Sequence, residues 1–409
     1  MLFPESGARS RHKIRNTALF VIEIIAAALL VILTLTVGYL YFLAAVAAVG
    51  RKTYTPLSRE CRFLVLVPAH NEENVIIPTI DSLRQVRPTG PVRIVVIADN
   101  CTDQTAALAA GQGVEVLARD NPVERGKGYA LEWAIAQYDL ERFDAVAVVD
   151  ADTRVQPDML EAMAGSLQAG YGAVQLYYGF TGEKDTPLAH LQHMASVVEN
   201  LLFYKPRAIL NLPILLRGTG MAISAEVLNK YPWDSHSITE DVDYAVKLLE
   251  NGIRIDFSHR SAVLSAATSS YDQSRDQKMR WASGTFLLIR QKALSLLKTA
   301  LLRRRWKLAE LAFSFLLLSR PALIYLAVIA ILLSLLAPAG ERLFYVLWGT
   351  ALAALLVVYL LLGIAFVPSK SATIKALVHI PKYAIWYFLV QLKAVFKHKK
   401  MGWVRTDRK

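Results

Sequence analysis

Two carboxylates one residue apart, Asp150 and Asp152, close the run AVAVVDADTR (145–154), which is otherwise apolar enough to be a fully buried strand. Acids delivered there can meet a hard divalent cation, Mg²⁺ or Mn²⁺, which takes carboxylate oxygens and keeps room for phosphate oxygens. Side chains alternate along an extended chain, so both acids are expected on one side. The same D-x-D also reads as a polar turn with capping acids ahead of Pro157, and the motif alone leaves both readings open. Two more apolar runs end in acids, Asp99 after VRIVVIAD (92–99) and Glu72 after FLVLVP (63–68), and three such ends at one edge make a site. In TED (239–241), Thr239 reads as a helix cap, with Glu240 and Asp241 favoured by the helix dipole. In QKMRW (277–281), Gln277, Arg280 and Trp281 fall at i, i+3 and i+4, one face of a helix. That arginine can neutralise charge building on a leaving group, and the indole offers a flat apolar platform. A core-facing tryptophan beside a surface arginine is the competing reading.

The elements that must position these residues are legible between 62 and 291. FLVLVP, VRIVVIAD, VEVLA (114–118) and DAVAVVD (144–150) read as buried parallel strands. The segments between them, from Glu73, Thr102 and Gly126, have helical spacing. Strand, helix, strand in this order predicts a doubly wound α/β sheet, which binds ligands beyond the carboxyl ends of its strands. Cys61 and Cys101 have no CxxC and no histidine at metal spacing, and are expected to be reduced.

Outside that region the chain is apolar, and 54% of all residues are hydrophobic. Uncharged stretches of about 20 residues, the length that spans a bilayer, run over 24–50, 321–340 and 343–369. The last two read as a hairpin with its turn at 339–342. Segments 301–320 and 374–400 mix cations with apolar residues, as helices in a headgroup layer do. The predicted organisation is a basic tail (1–17), a transmembrane helix (18–50), an α/β domain (62–291), an interfacial amphipathic helix (299–320), a transmembrane hairpin (321–369), and an interfacial helix with a basic tail (372–409). The formal net charge of +12 lies wholly in the tails, with four Lys/Arg and one acid over 1–16, and ten Lys/Arg and one acid over 369–409. A nucleic-acid groove would need clustered cations on the folded core, where no such cluster is seen, and basic tails beside apolar segments point to anionic lipids.

PAHNEE (68–73), ADN (98–100), DAD (150–152), TED (239–241) and QKMRW (277–281) occur in the order found in family 2 glycosyltransferases of the membrane-integrated type, which this chain resembles over 62–291. The resemblance implies a GT-A fold, a UDP-sugar donor, a glycan or lipid-linked acceptor and a divalent metal. It implies that Pro68, Ala69, Glu72 and Asp99 hold the uridine and ribose, that Asp150 and Lys127 lie at the nucleotide, and that Asp152 binds the metal. Asp241, beside Glu240, is the expected general base, because an inverting transfer needs one carboxylate to take the acceptor hydroxyl's proton. Gln277, Arg280 and Trp281 would act on the leaving diphosphate and the sugar ring. LRGTGMAIS (216–224) resembles the family's acceptor-side loop, with Gly218, Thr219 and Gly220 against the substrate, a plain turn into a strand being the competing reading. In WVRTDR (403–408), Trp403, Thr406 and Arg408 resemble a gating loop, a basic lipid-bound tail being the alternative.

Nucleotide sugars are cytosolic, so the resemblance implies an inner-membrane protein of bacterial type with its catalytic domain in the cytosol. Cations before and after the hairpin agree. Arg9, Arg11, Lys13 and Arg15 on one side of the first segment are balanced by Arg51, Lys52, Arg59 and Arg62 on the other, so its orientation stays open. Extension of a glycan is the leading expectation, with single transfer to a lipid as the alternative. A metal-dependent nucleotidyltransferase and a non-catalytic membrane subunit are the competing classes.

Overall fold

The computed structural model describes residues 5–54, 56–181, 185–268, 270–317 and 320–397. Strands β1 (Phe63–Ala69), β2 (Val92–Asp99), β3 (Glu115–Arg119), β4 (Ala145–Val148), β5 (Thr153–Val155), β6 (Ala173–Thr181), β7 (Met221–Ser224) and β8 (Ile255–Ala266) form one sheet in the order β3-β2-β1-β4-β7-β6-β8-β5. The four predicted strands lie together and parallel, β1 pairing with β2 and β4, and β2 with β3. Beyond β4 the sheet is mixed: β7 runs antiparallel to β4 and β6, and β8 is parallel to β6 but antiparallel to β5.

The helices are α1 (Glu5–Val49), α2 (Ile76–Arg84), α3 (Thr105–Gly111), α4 (Lys127–Ile135), α5 (Met159–Gln168), α6 (Pro187–Val197), α7 (Lys205–Ile209), α8 (Ala225–Lys230) and α9 (Glu240–Glu250). They continue as α10 (Tyr271–Leu302), α11 (Trp306–Ser314), α12 (Arg320–Ser334), α13 (Ala339–Leu361), α14 (Lys370–Ala376) and α15 (Ile380–Lys397). A seven-residue π-helix, Val198–Tyr204, joins α6 to α7. The first three interstrand helices start at Ile76, Thr105 and Lys127, one to three residues later than the spacing predicts. The residues before them are spent on loops at the strand ends.

Alternation along β1 divides the core. Phe63, Val65 and Val67 pack with Ile76, Ile80, Met159 and Met163 of α2 and α5. Leu64 and Leu66 face a second core that is continuous with Leu30, Leu33 and Leu40 of α1, Leu323 of α12 and Leu356 of α13. The apolar helices are therefore packed onto the α/β domain. Arg207, buried on α7, donates to Glu310 of α11 at 2.5 Å and to the Pro213 carbonyl at 2.6 Å, which pins the junction.

Leu19–Val49 and Gly340–Phe366 are long and apolar enough to cross a membrane. The helix predicted over 321–340 is shorter. α12 has 15 residues, about 22 Å at 1.5 Å per residue, against a hydrocarbon core of about 30 Å. The hairpin turn falls at 335–338, four residues before the predicted 339–342, because Pro338 cannot continue α12 and instead stands at the N-cap of α13. The amphipathic helix read from 301 begins only at Trp306. α10 runs on to Leu302, and the chain then breaks at Arg304, whose φ is 51°.

Candidate active site

Parallel pairing brings the ends of β1, β2 and β3 to one edge, where Ala69 pairs with Ala98 and Asp99 with Arg119. Pro68 and Ala69 close β1, and the loop after them carries the half-buried Glu72. That loop is laced to the one after β2. The Glu72 amide donates to Thr105 Oγ1 at 2.7 Å, and Asn71 Oδ1 accepts from the Thr102 amide at 2.7 Å. Asn71 and Asn100 turn the chain with φ of 56° and 50°, a left-handed conformation that asparagine tolerates. Asp99 is buried, and its Oδ1 accepts from Arg119 Nη1 at 2.7 Å and from Asn100 Nδ2 at 2.9 Å. Arg119 was missed from the sequence. Its signal was its place at the end of the third strand of the same edge.

β4 stops at Val148, before the two acids. Residues 150–153 form a turn closed by the Thr153 amide on the Asp150 carbonyl at 3.0 Å, so strand alternation does not govern where Asp150 and Asp152 point. The Asp150 amide donates to Thr219 Oγ1 at 3.0 Å, and its carboxylate is ion-paired with Lys127. Asp152 is half-buried. It and Asp150 both bear on Tyr178, whose hydroxyl is pushed up to about 12, chiefly by burial.

The glycine-rich loop ties these acids to Asp241. Lys127, which opens α4, donates also to the Gly218 carbonyl at 2.8 Å. Gly218 has φ +78°, and a Cβ there would stand 3.3 Å from both Asp241 Oδ2 and Lys127 Nζ. At Gly220, φ +63°, a Cβ would overlap Val263. The chain at 218–220 is therefore the floor on which Lys127, Asp150 and Asp241 meet. Asp241 lies in the first turn of α9, where the helix dipole favours it, and its Oδ1 accepts from the Val242 amide at 2.8 Å. Thr239 stands at the N-cap, but its hydroxyl makes no capping bond, contrary to the sequence expectation. Burial raises the Asp241 carboxyl to about 6, against the pull of Lys127. Burial, then the charge of Asp241, push Glu240 up to about 8. Of the two, Asp241 is raised less above its ordinary value.

α10 brings QKMRW alongside. Gly284, one turn beyond Trp281, is where the helix touches TED, since a Cβ there would overlap the Thr239 side chain. Gln277 and Arg280 are half-buried, and Trp281 is 37% exposed with the Lys278 ammonium 4.4 Å above its ring. Lys278 and Arg217 were also missed, although the first lies inside QKMRW and the second directly precedes the GTG loop. Trp403, Thr406 and Arg408 lie outside the described residues.

Asp152 would be a metal ligand with help from outside the protein. Among the described residues no group of three or more His, Cys, Asp or Glu side chains could hold a metal ion. A half-buried carboxylate in an otherwise incomplete donor set fits a hard cation whose remaining ligands are phosphate oxygens and water.

The description "Glycosyltransferase like family 2" matches residues 61–284, more than half of the chain, and the protein belongs to that family. Membership sets nucleotidyl transfer aside. The chain is 29% identical over 230 residues to a beta-monoglucosyldiacylglycerol synthase of Nostoc sp., the match covering 54% of this chain and 48% of that one. It is 23% identical over 265 residues to a probable glucomannan 4-beta-mannosyltransferase of Arabidopsis thaliana, covering 62% and 47%. The chain thus spans about half the length of the curated relatives it matches. Its fold is similar to that of a mannosyltransferase of Pyrobaculum calidifontis solved with GDP-Man and Mn²⁺, at TM-score 0.59 and 17% identity over 93% of this chain and 99% of that one. The mixed sheet is a GT-A fold, and two helices of membrane-spanning length flank it.

Proposed function

We propose that the protein transfers a sugar, with inversion, from a UDP-sugar to a hydroxyl of a glycan or lipid acceptor at a membrane, with Asp241 as the general base. The observation that carries this is the meeting of Lys127, Asp150, Gly218 and Asp241 at the carboxyl ends of a parallel half-sheet. Asp99, with Pro68, Ala69 and Glu72, holds the uridine and ribose, and Lys127 and Asp150 border the diphosphate. Asp152 holds Mg²⁺ or Mn²⁺, which when bound supplies positive charge to the diphosphate. Arg280 adds fixed positive charge on the leaving side, Trp281 gives the sugar ring an apolar face, and Gln277 lies on the same helical face. Gly218, Thr219 and Gly220 let the acceptor come close to the backbone. Asp241 takes the acceptor proton as that oxygen bonds to the anomeric carbon, while Glu240 keeps a second charge off the site. The α1 and α13 helices anchor the protein in a bacterial inner membrane, with the catalytic domain in the cytosol.

The test is to incubate detergent-purified protein with a panel of UDP-sugars and Mg²⁺ or Mn²⁺, and to measure UDP release and product size. One UDP-sugar is expected to be consumed, and chelation is expected to bring release to background until metal is restored. Asp152→Asn should raise the metal concentration for half-activity at least about tenfold, the cost of one carboxylate ligand. Full activity in chelator would remove the metal from the reading, and a GDP-sugar preference would replace the donor. Products longer by many sugars indicate chain extension, and products longer by one indicate single transfer.

A further inference from the structure

Behind the glycine-rich loop, cations outnumber acids in a half-buried cluster that sugar transfer alone does not call for. Arg217 donates to Glu199 at 3.2 Å and to Asn200 Oδ1 at 3.0 Å, both on the π-helix, and its guanidinium lies 5.2 Å from the ring of Tyr178 and 5.3 Å from that of Tyr204. Glu199 faces three cations, Arg217, Arg320 and Lys278, which hold its carboxyl below the usual range against its burial. Burial lowers Lys278 to about 8, with Glu199 opposing and Arg217 adding to the fall. Arg320 opens α12 at 9% exposure, 4.8 Å over the Phe203 ring and beside the Tyr359 hydroxyl, and its Nε and Nη2 have no hydrogen-bond partner. A buried guanidinium with two idle donors costs stability unless an anion satisfies it. Asp150 and Asp152 bear on Tyr178, whose ring lies beside the Arg217 guanidinium. A π-helix is a costly irregularity often kept at functional sites.

We propose that Arg217, Lys278 and Arg320 form a subsite that seats the phosphate of a membrane lipid whose free hydroxyl accepts the sugar. The proposal rests on the glycosyl-transfer reading. Arg320 and Tyr359 stand where apolar helices abut the catalytic domain, so a headgroup can reach the subsite while its acyl chains stay beside α12 and α13. In the transfer the lipid hydroxyl oxygen bonds to the anomeric carbon, the bond from that carbon to the diphosphate breaks, UDP departs and the proton passes to Asp241. The seated phosphate is unchanged.

Full-length protein in detergent, without donor, is titrated with short-chain phosphatidylglycerol and with diacylglycerol of the same chain length. Wild type should prefer the phospholipid at least about tenfold, and Lys278→Gln and Arg320→Gln should each reduce that preference about tenfold, while Arg320→Lys retains most of it. Lys278 is half-buried, so its variant keeps the test if Arg320→Gln does not fold. UDP affinity should stay the same in Lys278→Gln. An equal loss of UDP affinity would assign the cluster to the donor diphosphate, and equal competition by inorganic phosphate would make it a free-anion site; either overturns the proposal. Equal binding of the two lipids would also overturn it, yet leave sugar transfer standing. Absence of UDP release from any UDP-sugar would undo the transfer reading without touching the lipid preference.

Discussion

Asp241→Asn is expected to lower kcat for sugar transfer by about 10²–10⁴-fold, the contribution of a positioned general base, while KM for the donor changes little. The substitution keeps the shape of the side chain and leaves an oxygen for the Val242 amide, now at 2.8 Å. It removes the capacity to take a proton. Because burial raises the Asp241 carboxyl to about 6, wild-type kcat should fall as pH drops through about 6, and the variant should lose that limb. Stability follows the same titration with the opposite sense. A carboxyl raised in the folded state contributes stability that is fully present below its ordinary value and is lost as pH rises through about 6. The variant should therefore gain in Tm over wild type at pH 8, and lose that advantage progressively below pH 6 until it is gone below the ordinary value of 3.8. A variant with wild-type kcat would end the assignment of Asp241 as base.

The parallel half of the sheet could be read from the chain because β1, β4 and the carboxyl half of β2 are buried on both faces and almost wholly apolar, and acids stand out where such runs stop. β5 to β8 gave no such signal. β8, for instance, carries His259 and Arg260 at its middle and pairs with β6 in two stretches separated by an irregularity at Leu176/Tyr177. The residue types of the site were visible, but their joints were not. Lys127 reaches the Gly218 carbonyl across 91 residues of sequence, and no local periodicity carries that information. Gly284 did carry a signal. A glycine inside a helix costs about 1 kcal/mol against alanine, so one placed a turn after Trp281 marks a close approach, here to Thr239. Asp150 and Asp152 show the reverse case, where a sound rule was applied to a chain that had already left the strand. The hairpin's turn lies four residues before the position read from the chain, because composition measures how long an apolar stretch is, whereas Pro338 decides where one helix stops and the next begins.

Lys127→Met should have the widest consequences of any single change in the site. One ammonium serves three carboxylates: it is paired with Asp150, and the charges of Asp150, Glu240 and Asp241 all favour its protonated form against burial. Removing it leaves Asp150 without its partner, at a cost near the low end of the ~3–5 kcal/mol found for broken buried pairs, since Asp150 is partly exposed. It also frees the Gly218 carbonyl and with it the loop on which Asp241 rests. The electrostatic part of the damage can be told from the structural part by pH. Lys127 is the leading influence holding the Asp241 carboxyl down, so its loss should move the acid limb of kcat upward by about 1–3 pH units. At pH 7 the variant would then run roughly 2- to 100-fold below wild type, according to the size of that shift, and recover much of the deficit by pH 9. A deficit that is the same at pH 7 and pH 9 would mean that Lys127 acts on the loop alone and leaves the protonation of Asp241 to its burial.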